Sequence, residues 1–544
     1  MNLIETLRIP RSTQKKPIPT VAWLAGWVAL LATIPLFYIL IRAAGAESSV
    51  WIRIIQTRLL KLISNTLLLV LSVTAGTTIL GVGMAWLTER TDLPGRNLFR
   101  WLLALPLAIP PYIGAIIHLA LLRPHGGIIP QWAQKAFGTA MPLPVPTGFW
   151  GATFVLSVFS FPYVFLLSAA AFRLLNATYD DVARMSGRNA WQTFWQVTLP
   201  IIRPGITAGA LLVSLDVLAE YGTVALLRYE TFSSAIFIQL AGRYDRSAAS
   251  ILSGVLIMIA LVFLIGEFKI QGQAQFTQIT SSWRPAQQIE LGKNKVLALG
   301  LVIAVIFTSF IVPICLLIFW STKGILQPAA VAAMQTGSLG LSNYIINSLW
   351  SAGLAAFLAV LLSIPIAIFA VRHPGIVSRV FSRLAQVGYA IPGVVVALSL
   401  VMLVNRYIPF LYATPLIVVL AYVVRYIPQA VRSSQSALNQ LSVTLEEAAR
   451  LLKRNSLQTF LQVTLPLIFP GLLAGGALVF LSSLKELPAT LLLRPAGFET
   501  LAVRVWYWSE EGFYNQAAPV ALLLVLISIL PLFFLLRREA IFKK

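Results

Sequence analysis

Four ionisable residues lie well inside long apolar stretches of this sequence: Asp216, Glu220, Lys485 and Glu486. A charge at full membrane depth costs about 2–4 kcal/mol, less near the interface, so each needs a partner or a wet cavity. Asp216 and Glu220 are four residues apart, which on a helix places both on one face. Glu220 and Glu486 are separated by 266 residues. Carboxylates so placed can line a route for a cation. They can equally sit near the outer interface and pair with Lys485, Arg228 or Arg494. The residues alone leave both uses open. Arg383, at the mouth of its stretch, can snorkel to water.

Bond-breaking chemistry has no such foothold. The Gly292-Lys293 pair is followed by Asn294 and lacks an upstream glycine, so it is not a phosphate-binding loop. The sequence contains neither H-E-x-x-H nor G-x-S-x-G. His118, His125 and His373 are too scattered to suggest a metal cluster, and Cys315, the single cysteine, reads as a small core hydrophobe.

The elements that must hold those acids are membrane spans. The chain has 544 residues, 58% of them hydrophobic and 11% charged, with a mean hydropathy of +0.82, which excludes an ordinary soluble domain. The net charge of +22 does not imply nucleic acid, because the basic residues flank apolar runs instead of clustering. Twelve spans are expected, at about residues 21–41, 62–88, 101–122, 148–172, 205–227, 250–266, 296–320, 344–371, 380–404, 411–424, 471–493 and 517–536. With the N-terminus inside, the cytoplasmic segments carry twice as many Lys and Arg as the outer ones, which favours cytoplasmic N- and C-termini. Residues 1–20 are expected to form a polar cytoplasmic tail, and the first apolar run is expected to be retained, not cleaved.

A polar loop organises the rest. Residues 181–205 and 447–471 align without a gap at an offset of 266, with 15 of 25 positions identical. Each copy follows a Thr with an acid three residues on, at Thr178 and Asp181 and at Thr444 and Glu447, which predicts a capping box. Each reaches Leu-Pro, at Leu199-Pro200 and Leu465-Pro466, where the helix is expected to stop or restart. Gly187 can make a left-handed turn at little cost; its counterpart Lys453 could do so only with strain, and Asn455 could take the turn instead. The duplication reaches further. Asn65-Thr66 matches Asn347-Ser348, and Ala108-Ile109-Pro110 matches Ala390-Ile391-Pro392, both at 282, while Pro162 matches Pro428 at 266. The first half therefore carries a 16-residue insertion, which falls in an outer loop at 123–146. Asn65 and Asn347 are expected to cap helices or bond between them.

The loop resembles the EAA loop in the membrane subunits of binding-protein-dependent ABC importers, carried literally by Glu447-Ala448-Ala449 and as Asp181-Val182-Ala183 in the first copy. Two loops on one chain imply two fused permease halves: an all-α polytopic membrane protein with about twelve transmembrane helices in two homologous six-helix halves, each with a cytoplasmic coupling helix. The implied division is a first half at 21–270 (core 60–266, loop 178–205), a linker at 271–295 and a second half at 296–544 (core 343–536, loop 444–471). The resemblance implies that the loops dock two copies of a cytoplasmic ABC ATPase. The residues concerned would be Asp181, Ala183, Arg184, Gly187 and Arg188 in the first loop and Glu447, Ala448, Ala449, Arg450, Lys453 and Arg454 in the second. ATP and Mg would reside on that partner, this chain holding no cofactor. An extracytoplasmic solute-binding protein, a bacterial cytoplasmic membrane and no nucleic-acid partner follow. Residues 91–96 (TDLPGR), 103–114 (LALPLAIPPYIG) and 220–227 (EYGTVALL) resemble the fused permeases of ferric-iron uptake most, with related pieces in thiamine, sulfate and polyamine permeases. Asp216, Glu220 and Glu486 are then candidates for the translocation path; a hard Fe(III) cation favours oxygen donors.

Overall fold

The computed structural model describes residues 19–123, 127–138, 147–273, 288–326 and 340–541. Most of the expected N-terminal tail, parts of the outer loop and linker residues 274–287 lie outside them. The first half comprises α1 (Pro19–Ala44), α2 (Ser48–Arg90), α3 (Arg96–Ala108), α4 (Pro111–Leu122), α5 (Ile128–Phe137), α6 (Gly148–Arg173), α7 (Ala177–Met185), α8 (Trp191–Ala219), α9 (Gly222–Leu226), α10 (Phe232–Gly242) and α11 (Arg246–Gln273). The second comprises α12 (Gly292–Gly324), α13 (Leu341–Arg372), α14 (Ile376–Tyr389), α15 (Gly393–Tyr407), α16 (Pro415–Gln440), α17 (Val443–Leu451), α18 (Ser456–Leu484), α19 (Pro488–Leu493), α20 (Leu501–Glu510) and α21 (Tyr514–Ile541). Among the described residues ten helices are long and apolar enough to cross a membrane, and two bent pairs raise the number to twelve. The protein is an all-α polytopic membrane protein.

Several expected elements are reshaped, each for a local reason. The third and ninth spans are not straight: α3 meets α4 at 92° and α14 meets α15 at 103°. Proline forces the bend, since Pro110, Pro111 and Pro392 donate no N–H, and the preceding Ile109 and Ile391 are extended, at ψ 115° and 116°. The tenth span is longer than expected. Pro415 begins α16, where proline is tolerated, and the helix runs on past Arg425 and Arg432, which charge counting had placed in a cytoplasmic loop. The Leu-Pro steps do not end a helix. A five-residue π turn, Phe194–Thr198 and Phe460–Thr464, precedes each one, and α8 and α18 continue through it. The insertion contributes α5; its second-half counterpart is only the short stretch 408–414.

The first helix of each half lies against the other half. Ala25, Val28 and Ala32 of α1 pack on Ile366, Phe369 and Val431 of the second half, and Ser399 donates to the Pro35 carbonyl at 2.9 Å. Ala298, Val302 and Ile306 of α12 pack on Met84, Ala85 and Phe165 of the first. Lys295 adds an ion pair to Asp92 at 2.7 Å, and Ile289 bridges to Thr91. The exchange interlocks the halves. Within each half the core helices approach closely at matched glycines: a Cβ on Gly209 would come 2.8 Å from Val164, and one on Gly475 2.8 Å from Ser433. Asn65 and Asn347 both donate from Nδ2 to a backbone carbonyl, Glu230 and Glu499 respectively, at 3.0 Å. Both acceptors lie in loops, so each asparagine ties its helix to a loop, where a helix cap or a bond between helices was expected.

Candidate functional site

Between the halves lies a cavity of about 110 Å³ lined by matched positions of both. From the first half come Leu107, Tyr163, Asp216 and Glu220; from the second, Tyr389, Gln429, Ser482 and Glu486, each the counterpart at the offset of its region. Arg425 and Lys485 also line it, opposite Phe159 and Ala219.

The two halves position the acids the same way. Helix α8 stops at Ala219 and α18 at Leu484, and the chain turns before the short α9 and α19. Glu220 Oε1 accepts the Thr223 N–H at 2.8 Å, and Glu486 Oε1 accepts the Ala489 N–H at 3.2 Å. Each carboxylate thus satisfies an orphan donor at the start of the next helix. The expectation of one shared helical face is corrected here, since Asp216 is on α8 and Glu220 is on the break beyond it, although both line the cavity.

Beyond that cap the acids part company. Glu486, 4% exposed, is bound by Arg425 and accepts from the Tyr426 hydroxyl at 2.5 Å. Lys485 does not neutralise it, contrary to the adjacency in sequence; its Nζ crosses to the first half and donates to the Leu107 carbonyl at 2.8 Å. Arg494 pairs with Glu499 at 3.4 Å and not with a cavity acid. The sequence reading missed Arg425 because a span drawn to stop at 424 left it outside. Gln429 and Ser482 hydrogen bond to each other at 3.0 Å. The arrangement can attract a cation along Asp216 and Glu220. Two carboxylates make an attractive lining, not a closed coordination shell.

The second candidate surface is the pair of repeated loops. The caps lie two residues before the expected Thr: Asn176 Oδ1 accepts the Thr178 N–H at 3.2 Å, and Ser442 Oγ accepts the Thr444 N–H at 3.3 Å. The doubled acids then divide their work. Asp180 and Glu446 turn inward to Arg90 and Arg372, at 2.7 and 2.9 Å, while Asp181 and Glu447 stay on the exposed side. Ala183 and Ala449 are buried under α7 and α17; Ala448, Arg188, Arg450, Lys453 and Arg454 are exposed, and Arg454 reaches Gln462. The Arg184 side chain lies outside the described residues. Met185 and its counterpart Leu451 are 88% and 86% exposed, so each helix ends in an uncovered apolar tip. Gly187 has φ 73° and Lys453 φ 59°, so the lysine itself takes the left-handed turn. Asn455 does not; like Asn189 it makes a reciprocal capping box, with Gln458 as Asn189 does with Gln192.

The family model described as "Binding-protein-dependent transport system inner membrane component" matches residues 77–268 and again 359–541. The chain is 32% identical over 521 residues to the Fe(3+)-transport system permease protein FbpB 2 of Haemophilus influenzae, covering 94% of this chain and 97% of that protein. It is 24% identical over 497 residues to the ferric transport system permease protein FbpB of Actinobacillus pleuropneumoniae, covering 88% and 71%. The sulfate transport system permease protein CysT of Escherichia coli matches at 26% over 254 residues, 45% of this chain and 89% of that protein.

Proposed function

We propose a transport role for this chain, which belongs to the family of binding-protein-dependent transport system inner membrane components, with one copy of the family domain in each half. It is the fused permease of an ATP-driven importer of ferric iron. The observation that carries this reading is the acid-lined cavity on the interface of the two halves, built from matched positions of both. A trivalent hard cation is attracted by such carboxylates, and the polar lining replaces part of its hydration. The two relatives named for iron match 94% and 88% of this chain, whereas the sulfate permease matches 45% of it. Arg425 and Lys485 would suit an anion, but Glu486 already neutralises Arg425.

In this reading the N- and C-termini are cytoplasmic, α7 and α17 each seat one ATPase subunit, and a solute-binding protein delivers cargo on the opposite face. The exposed tips Met185 and Leu451 are the apolar anchors of those two contacts, with Asp181 and Glu447 beside them. ATP and Mg belong to the ATPase.

Uptake of labelled ferric citrate, thiamine, spermidine and sulfate by cells with and without this chain tests the cargo. Chain-dependent uptake of iron alone is expected. Chain-dependent uptake of another of the four, without iron, would overturn the assignment.

A further inference from the structure

The chain places a cation of its own at the cavity that its acids make attractive. Leu107 lies in the 3₁₀ turn that leads into the bend of α3 and α4. In a continuous helix its carbonyl would accept from the residue three or four further on. Those residues are Pro110 and Pro111, which have no N–H. The bend therefore leaves a carbonyl without a backbone donor. Lys485, 378 residues away and in the other half, donates to it at 2.8 Å. The same ammonium lines the cavity with Asp216 and Glu220. Arg425 is ion-paired with Glu486, and Lys485 is the second cation on the lining that holds the two first-half acids. Its counterpart in the first half is Ala219, so only one such lysine exists.

We propose that Lys485 is the resident counter-cation of the cavity, which an arriving cargo cation must displace, and which on leaving exposes the Leu107 carbonyl as a further oxygen donor. This rests on the cation-transport reading above. An ammonium and a hard cation cannot share two carboxylates without repulsion, so one leaves as the other enters. Lysine suits the task, being a flexible point charge on a long stem, where arginine would lock into a fork. The device also ties occupancy to the interface, since the bond to Leu107 crosses from one half to the other.

Terbium(III) chloride is the probe, as a hard trivalent ion whose emission is sensitised by nearby tyrosine; Tyr163 and Tyr112 line the cavity. Titration of the purified full chain in detergent gives its affinity. Lys485→Met should bind terbium about tenfold tighter than the parent, from loss of one competing charge. Lys485→Arg should stay within about threefold of the parent, since the charge remains. Adding Asp216→Asn and Glu220→Gln to Lys485→Met should abolish the gain. Equal affinity in parent and Lys485→Met, or a gain that survives loss of both acids, overturns the proposal. Should the methionine variant not fold, the parent serves: amine labelling of Lys485, read by mass spectrometry, should rise on adding terbium, and unchanged labelling overturns the proposal. Failure of iron uptake by the parent would instead remove the cargo assignment and leave the terbium result standing.

Discussion

The two inward acids of the repeated loops make a quantitative test of how the loops are tied to the spans. Arg90 ends α2 and Arg372 ends α13, and each meets the acid that precedes the repeated motif, Asp180 or Glu446. The side chains of the first pair are 5% and 11% exposed and those of the second 13% and 11%, so both are buried ion pairs. Removing one partner of such a pair costs about 3–5 kcal/mol, because the other charge stays buried. The halves should not respond equally. Arg90 Nε and Nη1 make no hydrogen bond among the described residues, so Asp180 is the acceptor on which that guanidinium depends. An amide oxygen at either position would still accept one hydrogen bond, but Arg372 also donates to the Leu441 carbonyl at 3.2 Å and so keeps a second acceptor that Arg90 lacks. We expect Asp180→Asn to cost about 3–5 kcal/mol and Glu446→Gln about 1–3 kcal/mol. A loosened tether lets a loop move without its span, so uptake per ATP hydrolysed should fall more in Asp180→Asn. Thermal unfolding of the purified complex, with ATPase and uptake in the same vesicles, reads both quantities. The reversed pair Arg90→Asp with Asp180→Arg should recover part of the loss. Equal losses in the two single variants, or full uptake per ATP in Asp180→Asn, would refute the reasoning.

Three further outcomes follow from the same geometry. Glu220→Gln keeps an acceptor for the Thr223 N–H and removes only charge, so the complex should assemble with active ATPase while iron uptake drops several-fold; Glu486→Gln should instead lower thermal stability by about 3–5 kcal/mol, because it strands Arg425. Both left-handed positions penalise a side chain, so Gly187→Ala should destabilise by about 1–2 kcal/mol and Lys453→Gly should stabilise by up to about the same, read as opposite shifts in melting temperature. Ala219→Lys would add a second ammonium to the cavity lining beside Glu220; it should settle on Asp216 and Glu220 and stop uptake, and undiminished uptake in a well-assembled variant would contradict the role given to those acids.

What the sequence reveals depends on whether a signal is local. The duplication, the apolar runs, the helical loops and the matched asparagines all leave marks within a few residues or at a fixed offset, and the structure contains them. Features set by packing leave none. Nothing in the apolar run at 21–41 says that α1 will lie against the other half, because lipid and protein faces have the same composition when both are apolar. Arg425 was hidden by a related ambiguity: a span ended at the first charge is the right choice only when that charge meets water, and this one meets Glu486. The bends at Pro110 and Pro392 could have been read, since the two-proline step in the first half cannot continue a helix. The partner of Lys485 could not, because it depends on a carbonyl 378 residues away.

The divergence of the halves matters more to the cavity than their likeness. In a permease of two identical subunits, each lining residue faces its own copy across the axis, so an acid at one wall implies an acid at the other. Here Asp216 is matched by Ser482, Ala219 by Lys485, and Phe159 by Arg425. One wall carries two carboxylates and the other carries both cations with a single acid. The shared features, Glu220 and Glu486, are the ones that cap a helix in both halves. Lining positions without that duty differ between the halves. Because the two halves of this chain differ, one can supply the attraction and the other the charge that is displaced, and fusion keeps the two unlike walls paired one to one.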